Sequence, residues 1–229
     1  MMQANRPGLG GPIPRRARLL TRTVVSPVAC SLAVTLSSAC APGAGGGSGD
    51  SEFQGEPLPI LIDRPDFTLT DTEGRPYSFL EETRGRVALL FFGYTWCPDV
   101  CPIHMANIGQ AMTSIPTEDR HRVEVVFVST DPARDTPARI REWLDVFGPS
   151  FVGLRGTLEE VNRIQNQVGL PASLLDEPDE DGNYLVGHAA SVLAFSADGP
   201  ARLRYPFGTR QAAWAHDLPR LIEQSGSNP

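Results

Sequence analysis

The sequence predicts an α/β fold in which helices flank a central mixed sheet and a β-hairpin comes late in the chain. Two short, continuously apolar runs, residues 87–92 and 123–128, are typical of strands that are covered on both faces. Each run is followed by a helical pattern, and strands that alternate with helices indicate parallel pairing. Near the C-terminus, Ala197-Asp198-Gly199-Pro200 separates two strand-like segments and predicts the hairpin.

The other elements follow from local patterns in chain order. Residues 66–70 alternate as an edge strand does. Pro137 suits the first position of a helix, and Thr157 and Glu160 have the spacing of a capping box. The predicted elements are a strand at 66–70, a turn at 71–74 before 77–80, strands at 87–92, 121–130 and 151–154, a hairpin of 191–195 and 201–207, and helices at 103–115, at 136–148, from 157 and from 209. This order indicates an α/β sandwich of thioredoxin-like type.

The chain is expected to divide into a leader, a spacer and one domain. Residues 1–39 contain five arginines, no acidic residue and a mostly apolar stretch, which is typical of a secretory leader. Small residues before Cys40 resemble a bacterial lipobox and predict that this cysteine is acylated. Residues 40–57 form a flexible linker rich in glycine and serine, and residues 58–226 form the domain. An uncleaved membrane anchor is the alternative, although the apolar stretch is only marginally long enough to span a bilayer.

Either form of the leader places the domain outside the cytoplasm, tethered to a bacterial cell membrane. The net charge of −7 and the scattered arginines argue against nucleic acid as a partner. Residues 171–186 are predicted to be an irregular insert that is rich in acidic residues. Its acidic side chains are those of Asp176, Glu177, Asp179, Glu180 and Asp181.

Cys97 and Cys101 are the most informative residues of the chain. They are four residues apart, where the first buried strand gives way to a helix, so their side chains are expected to share one face. The free N–H groups at a helix start favour the thiolate, the form that binds soft metals and attacks disulfides. The spacing allows a structural disulfide, a redox couple or part of a metal site. Two cysteines are too few for a structural zinc site.

A third ligand would complete a trigonal copper site, because Cu(I) prefers thiolates and tolerates low coordination numbers. His188 precedes the hairpin, in a region that we expect to pack near the cysteine loop, and is the predicted third ligand. His104, with Met105, is the alternative, although its helix is expected to carry it away from the sulfurs. His121 and His216 are predicted to be solvated.

Three further side chains are candidates for supporting roles near the cysteines. Asp131 and Asp135 follow the second buried strand, and the carboxyl ends of neighbouring strands form one crevice. Both carboxylates could orient ligands or face a partner, and Asp135 is also expected to cap the next helix. Trp96 precedes the first cysteine and could present an aromatic docking surface.

The motifs together resemble those of the Sco/SenC family of copper-binding, thioredoxin-like proteins. The resemblance covers about residues 58 to 225 and rests on Phe92-Gly93-Tyr94-Thr95, Cys97-Pro98-Asp99-Val100-Cys101-Pro102, Asp131-Pro132-Ala133-Arg134-Asp135-Thr136-Pro137 and His188. It implies one bound copper ion, Cu(I) or Cu(II), held by Cys97, Cys101 and His188. It also implies delivery of copper to the copper A centre of cytochrome c oxidase subunit II, or reduction of the cysteines of that subunit.

Two departures from the family pattern bear on the site. Gly187 and Ala189 stand where many relatives have an aspartate before the histidine and a serine after it. Hydrogen bonds that such groups give the histidine are therefore absent here. Trp96 replaces a basic or polar residue that often precedes the first cysteine, and neither departure removes a ligand.

The sequence therefore favours a membrane-tethered copper metallochaperone that keeps its cysteines reduced until an acceptor site is presented. The alternative is a thiol-disulfide reductase, which would need Cys97 and Cys101 but not His188. A third function, peroxide reduction or redox sensing by one cysteine of low pKa, is compatible with the fold alone.

Overall fold

The computed structural model describes residues 53–224 of the 229-residue chain. The strands of this region are β1 (Glu56–Ile62), β2 (Thr68–Asp71), β3 (Pro76–Ser78), β4 (Val87–Gly93), β5 (Val123–Ser129), β6 (Val152–Arg155), β7 (Leu174–Leu175), β8 (Val186–Gly187), β9 (Ser191–Phe195) and β10 (Ala201–Pro206). The helices are α1 (Phe79–Glu82), α2 (Val100–Thr113), α3 (Pro137–Asp145), α4 (Leu158–Gln167) and α5 (Gln211–Gln224), with a 3-10 turn at Arg120–Arg122. The predicted leader, Cys40 and most of the predicted linker lie outside the described residues.

The main sheet is mixed and has the strand order β1-β10-β9-β4-β5-β6-β2-β3. Strands β4, β5 and β6 are parallel, while β9 and β10 form an antiparallel hairpin beside β4. Every residue of β4 and of β5 is buried, as expected for strands with helices on both faces. The predicted fold class, an α/β thioredoxin-like sandwich with a late hairpin, is confirmed.

Alternate side chains of the central strands pack into two separate hydrophobic cores, one on each face of the sheet. Leu89 and Phe91 belong to a core with α2, α3 and α5, whereas Leu90 and Phe92 belong to a core with α1 and α4. This alternation follows from the period of two in a strand. Because α2 begins directly after the cysteine loop, the candidate site lies on the first of these two faces.

The N-terminal part of the domain departs from the sequence-based boundaries. Strand β1 begins at Glu56, inside the segment predicted to be linker, and pairs with β10. The carboxylate of Asp217 accepts hydrogen bonds from the backbone N–H groups of Gln54 and Gly55, at 3.0 and 2.7 Å. These long-range bonds fix a segment whose own sequence carries only a weak strand signal.

Strand β2 is not the edge strand that its alternation predicts. It lies between β6 and the three-residue β3, which forms the edge instead. The turn predicted at 71–74 does lead into β3, which shares residues 77 and 78 with the predicted segment 77–80. The residues after it form helix α1, where Ser78 accepts a hydrogen bond from the backbone of Glu81.

Two predictions about helix starts have different outcomes. The capping box of Thr157 and Glu160 at the start of α4 is confirmed. Asp135 does not cap α3, which was the expectation. Thr136 takes that place and accepts from the backbone N–H of Arg139 at 3.2 Å, because the carboxylate of Asp135 is engaged inside the protein.

In the described part of the chain no helix is both long and apolar enough to cross a bilayer.

Candidate metal centre

The cysteine loop is built by the end of β4 and the start of α2. The side chain of Asp99 accepts a hydrogen bond from the Val100 backbone and caps α2, which places Cys101 in the first helical turn. A Cβ atom on Gly93 would lie 2.7 Å from Cys101 Sγ, so only glycine allows the sulfur to sit over the end of the strand. The backbone N–H of Cys101 donates to Cys97 Sγ at 3.4 Å, which brings the two sulfurs to one side.

The structure brings His188 to these sulfurs, as predicted. The ligand atoms of Cys97, Cys101 and His188 all lie within 4.8 Å of one another, and His188 Nε2 is 3.5 Å from Cys101 Sγ. The two cysteines are not joined by a disulfide bond. His188 Nδ1 is 3.1 Å from the carbonyl oxygen of Ala189, an arrangement that turns Nε2 toward the sulfurs. A metal ion on Nε2 would leave Nδ1–H to donate to this carbonyl.

The two cysteines differ sharply in their proton affinity. A hydrogen bond from Cys101 lowers the pKa of Cys97 to about 3, assisted by His188 and by the backbone N–H of Cys101 and opposed by burial. Burial raises the pKa of Cys101 well above its ordinary value, and the neighbouring charge on Cys97 adds to that effect. The metal-free site therefore holds one thiolate, on Cys97, and one thiol, on Cys101.

Aromatic rings surround the imidazole of His188. The Tyr94 ring meets it edge to face at 5.7 Å between centroids, and the Phe91 ring does so at 6.1 Å. These rings restrict the orientation of the imidazole and make one side of the site apolar. Cys101 is fully buried and Cys97 is 9% exposed, whereas His188 is half-buried, so the site opens to solvent on the side of Cys97 and His188.

Asp135 supports the cysteine loop without touching a candidate ligand. Its fully buried carboxylate accepts hydrogen bonds from the backbone N–H and the hydroxyl of Thr95, the latter at 2.6 Å, and from the hydroxyl of Ser129 at 2.6 Å. Burial raises the pKa of Asp135 against these stabilising bonds. Since Thr95 lies two residues before Cys97, this carboxylate fixes the approach to the first sulfur.

Asp131 is also fully buried and binds elsewhere. Its carboxylate accepts from the Tyr184 hydroxyl at 2.8 Å and pairs with Arg134 Nε at 2.5 Å. Neither predicted acid therefore faces a partner through its carboxylate. Both lie within the protein and join segments next to the ligands.

Trp96 is exposed, as a docking residue would be, with 55% of its surface open to solvent. The guanidinium of Arg139 lies 5.3 Å from its ring centroid. A groove of about 390 Å³ runs between Trp96 and the acidic insert. The residues that line it are Trp96, Pro98, Arg134, Asp176, Glu177, Asp179, Asn183, Tyr184 and Leu185.

The acidic insert is more regular than its sequence indicates. Leu174 pairs with Gly187 and Leu175 with Val186, so β7 and β8 form a small antiparallel ladder just before His188. A backbone bond from Asp176 to Leu185 continues this pairing. The ladder gives the histidine a defined approach, which a composition rich in acidic residues could not reveal.

The other histidines do not join the cysteines. His104, the alternative ligand, is buried with Nε2 3.4 Å from the carbonyl oxygen of Ala190, and Met105 lies in the core. His121 is exposed, as predicted. The prediction that His216 is solvated is wrong, because this residue is half-buried and its Nδ1 lies 2.7 Å from the carboxylate of Asp217.

Sequence reasoning did not identify Tyr94 or Tyr184 as neighbours of the site, and it considered His104 only as an alternative ligand. Tyr94 lies inside the cysteine motif, so its position was available as a signal. Tyr184 and His104 act through partners distant in sequence, Asp131 and Ala190, and no local pattern shows such pairs.

The fold and the site together define a thioredoxin-like protein with a group of two cysteines and one histidine whose donor atoms fit a soft metal such as copper. The family model described as SCO1/SenC matches residues 62–223, and the chain belongs to this family.

The chain is similar to proteins of known structure. It shares 31% identity with the apo Sco1 protein of Thermus thermophilus over 75% of this chain and 96% of that one, with a TM-score of 0.64. It also shares 31% identity with ScoI of Bradyrhizobium japonicum, solved with copper bound, over 70% of this chain and 99% of that one, with a TM-score of 0.60. The chain spans a smaller share of the length of the curated relatives than of these two structures. Protein sco1 of Schizosaccharomyces pombe is 31% identical over 75% of this chain and 65% of its own length.

Proposed function

We propose that the protein is a membrane-tethered copper metallochaperone that uses Cys97, Cys101 and His188 to hold one copper ion for transfer. The observation that carries the proposal is the convergence of two sulfurs and an imidazole nitrogen within 4.8 Å. Thiolate sulfur is the donor that Cu(I) prefers, and the Bradyrhizobium relative binds copper. Copper is here a cargo.

The protonation pattern indicates how the site would load. Cys97 already carries the thiolate that a metal ion needs, whereas Cys101 must release its proton when copper binds. Three ligands leave copper coordinatively unsaturated. The opening beside Cys97 and His188 would then admit a donor atom of the acceptor protein, so that ligands exchange one at a time.

The acceptor and the tether come from the family resemblance and the leader. We propose that copper goes to the copper A centre of cytochrome c oxidase subunit II, and that a lipid on Cys40 holds the domain on the extracytoplasmic side of a bacterial membrane. Trp96 and the groove beside it would then contribute to the docking surface.

Copper titration of the reduced protein tests the proposal. We expect the wild type to bind one copper ion, and Cys97→Ala, Cys101→Ala and His188→Ala each to weaken binding by at least about tenfold. His121→Ala is the matched control, because His121 is exposed and lies outside the Cys-Cys-His group. Unchanged affinity in the three ligand variants would contradict the proposal.

A second function, thiol-disulfide reduction, is favoured by the contrast between the cysteines. The Cys97 thiolate would attack a substrate disulfide, form a mixed disulfide and release one substrate thiolate. Cys101, after losing its proton, would then attack Cys97 Sγ and release the second thiolate. The protein is oxidised by two electrons and the substrate is reduced by two. Full activity of His188→Ala in cells would favour this function over metal transfer.

A further inference from the structure

Tyr184 lies outside the candidate ligands but is bonded to the loop that follows β5. Its hydroxyl donates to Asp131 Oδ1 at 2.8 Å, although 53 residues separate the two in sequence. Tyr184 comes four residues before His188, at the C-terminal end of the acidic insert. This bond therefore ties the segment that carries the histidine to a different part of the fold.

Arg134 contacts both Tyr184 and Asp131 and so strengthens the attachment between them. Its guanidinium lies 3.5 Å from the centroid of the Tyr184 ring, and its Nε donates to Asp131 Oδ2 at 2.5 Å. The Asp131 carboxylate is fully buried, so both of its oxygens have partners inside the protein. A buried carboxylate that loses a partner is costly, which makes the three-residue unit a firm attachment.

Asp131 is connected in turn to the cysteine loop. Its backbone N–H donates to the hydroxyl of Ser129 at 3.1 Å, and that hydroxyl donates to Asp135. Asp135 holds Thr95, two residues before Cys97. The histidine segment and the first sulfur are thus attached to the same buried acidic loop.

The histidine segment is also held by the buried side chain of Val186 and by a backbone hydrogen bond from Phe207 N–H to the Ala190 carbonyl oxygen, but its strand pairing is short. Strands β7 and β8 contain two residues each, and Leu174, Leu175 and Leu185 are exposed. A ladder this short is marginal by itself. The attachment of Tyr184 is therefore well placed to control where His188 lies.

We propose that Tyr184 and Arg134 are positioning residues that hold His188 over the sulfurs by fastening its segment to Asp131. The proposal rests on the proposed function, since it takes His188 as a copper ligand. Tyr184 does not touch the metal site in this arrangement. Its effect is to reduce the conformational freedom that the histidine loses when copper binds.

The experiment compares Tyr184→Phe with the wild type by Cu(II) competition titration and by the Cu(II) spectrum. The phenyl ring retains its place on Arg134 but lacks the hydroxyl, and we expect a loss of affinity of about tenfold with a spectrum shifted toward that of His188→Ala. In the His188→Ala background, Tyr184→Phe is expected to cause no further loss. A general destabilisation would weaken binding in both backgrounds.

A metal-free measurement and two further variants sharpen the test. Hydrogen exchange of the backbone amides of residues 186–190 in apo protein should accelerate in Tyr184→Phe and in Arg134→Gln. Tyr77→Phe is the matched control, because it removes a buried tyrosine hydroxyl that has no hydrogen-bond partner. It should change neither copper affinity nor exchange at residues 186–190.

Three results would overturn the positioning role. Unchanged affinity in Tyr184→Phe, when His188→Ala does lose affinity, overturns this inference alone. Equal losses from Tyr184→Phe with and without His188 assign the effect to general destabilisation. If His188→Ala itself leaves copper binding unchanged, the proposed function fails and the positioning role fails with it.

Discussion

Cys101 Sγ lies 3.5 Å from His188 Nε2 across 87 residues of sequence. The antiparallel pairing of β4 with β9 explains this proximity, because Phe91 near the end of β4 lies opposite Val192 near the start of β9. The loop that leaves β4 and the segment that enters β9 must therefore meet at one edge of the sheet. The site is a direct consequence of that strand pairing.

The contrast between the two cysteines predicts selective alkylation. In the reduced, metal-free protein at pH 5, Cys97 should react with iodoacetamide while Cys101 stays unmodified, because only Cys97 has a pKa lowered to about 3. Peptide mass spectrometry after short exposure would measure the two rates. Equal labelling of both cysteines would contradict the assignment of the thiolate.

The same pKa predicts a pH dependence of stability. The pKa of Cys97 falls from 9.0 in its ordinary environment to about 3 in the folded protein. The stabilisation that the Cys97 thiolate gives the folded protein is therefore complete above about pH 9. It is lost as the pH falls toward 3. Urea unfolding of reduced apo protein between pH 4 and pH 9 should show a wild-type advantage over Cys97→Ser that grows with pH. An advantage that is constant across this range would contradict the prediction.

Asp135 should contribute to the stability of the folded protein through its buried hydrogen bonds. Asp135→Ala leaves the N–H and hydroxyl of Thr95 and the hydroxyl of Ser129 without their acceptor, and we expect a loss of about 3 kcal/mol in the free energy of unfolding. Asp135→Asn keeps one acceptor oxygen and should lose less. Denaturant unfolding measures both variants. Equal stabilities of Asp135→Ala and wild type would show that the network is dispensable.

Gly93→Ala should disturb the metal centre from inside the fold. The added methyl would lie 2.7 Å from Cys101 Sγ, so the sulfur or the strand must move, and we expect a loss of stability of about 1–3 kcal/mol together with weaker copper binding. Gly187→Ala is the control, because its nearest neighbour would be the Leu174 carbonyl oxygen at 3.7 Å. Thermal unfolding would measure the stability of both variants, and copper titration would measure their copper affinity. A Gly93→Ala protein that binds copper normally would contradict this account.

Local signals predicted much of the fold. The apolar runs of β4 and β5, the capping box of α4 and the turn between β9 and β10 all depend on residues close in sequence. Strand β1 and the β7–β8 ladder were missed, because each is held by partners far along the chain, in β10 and Asp217 or across the insert. The helix cap assigned to Asp135 was wrong because burial beside Thr95 engages that carboxylate.

The sequence by itself determined the cysteine spacing, the alternation of the central strands with helices, and a set of donors suited to copper. These properties depend on residue type and on separations of a few residues. The sequence also favoured His188 over His104 as the third ligand. Only the tertiary structure decided that Cys97 and Cys101 differ in charge. It also decided that Asp131 and Asp135 are buried supports of the loops. Burial and long-range strand pairing decide those relationships, and neither is present until the sheet has formed.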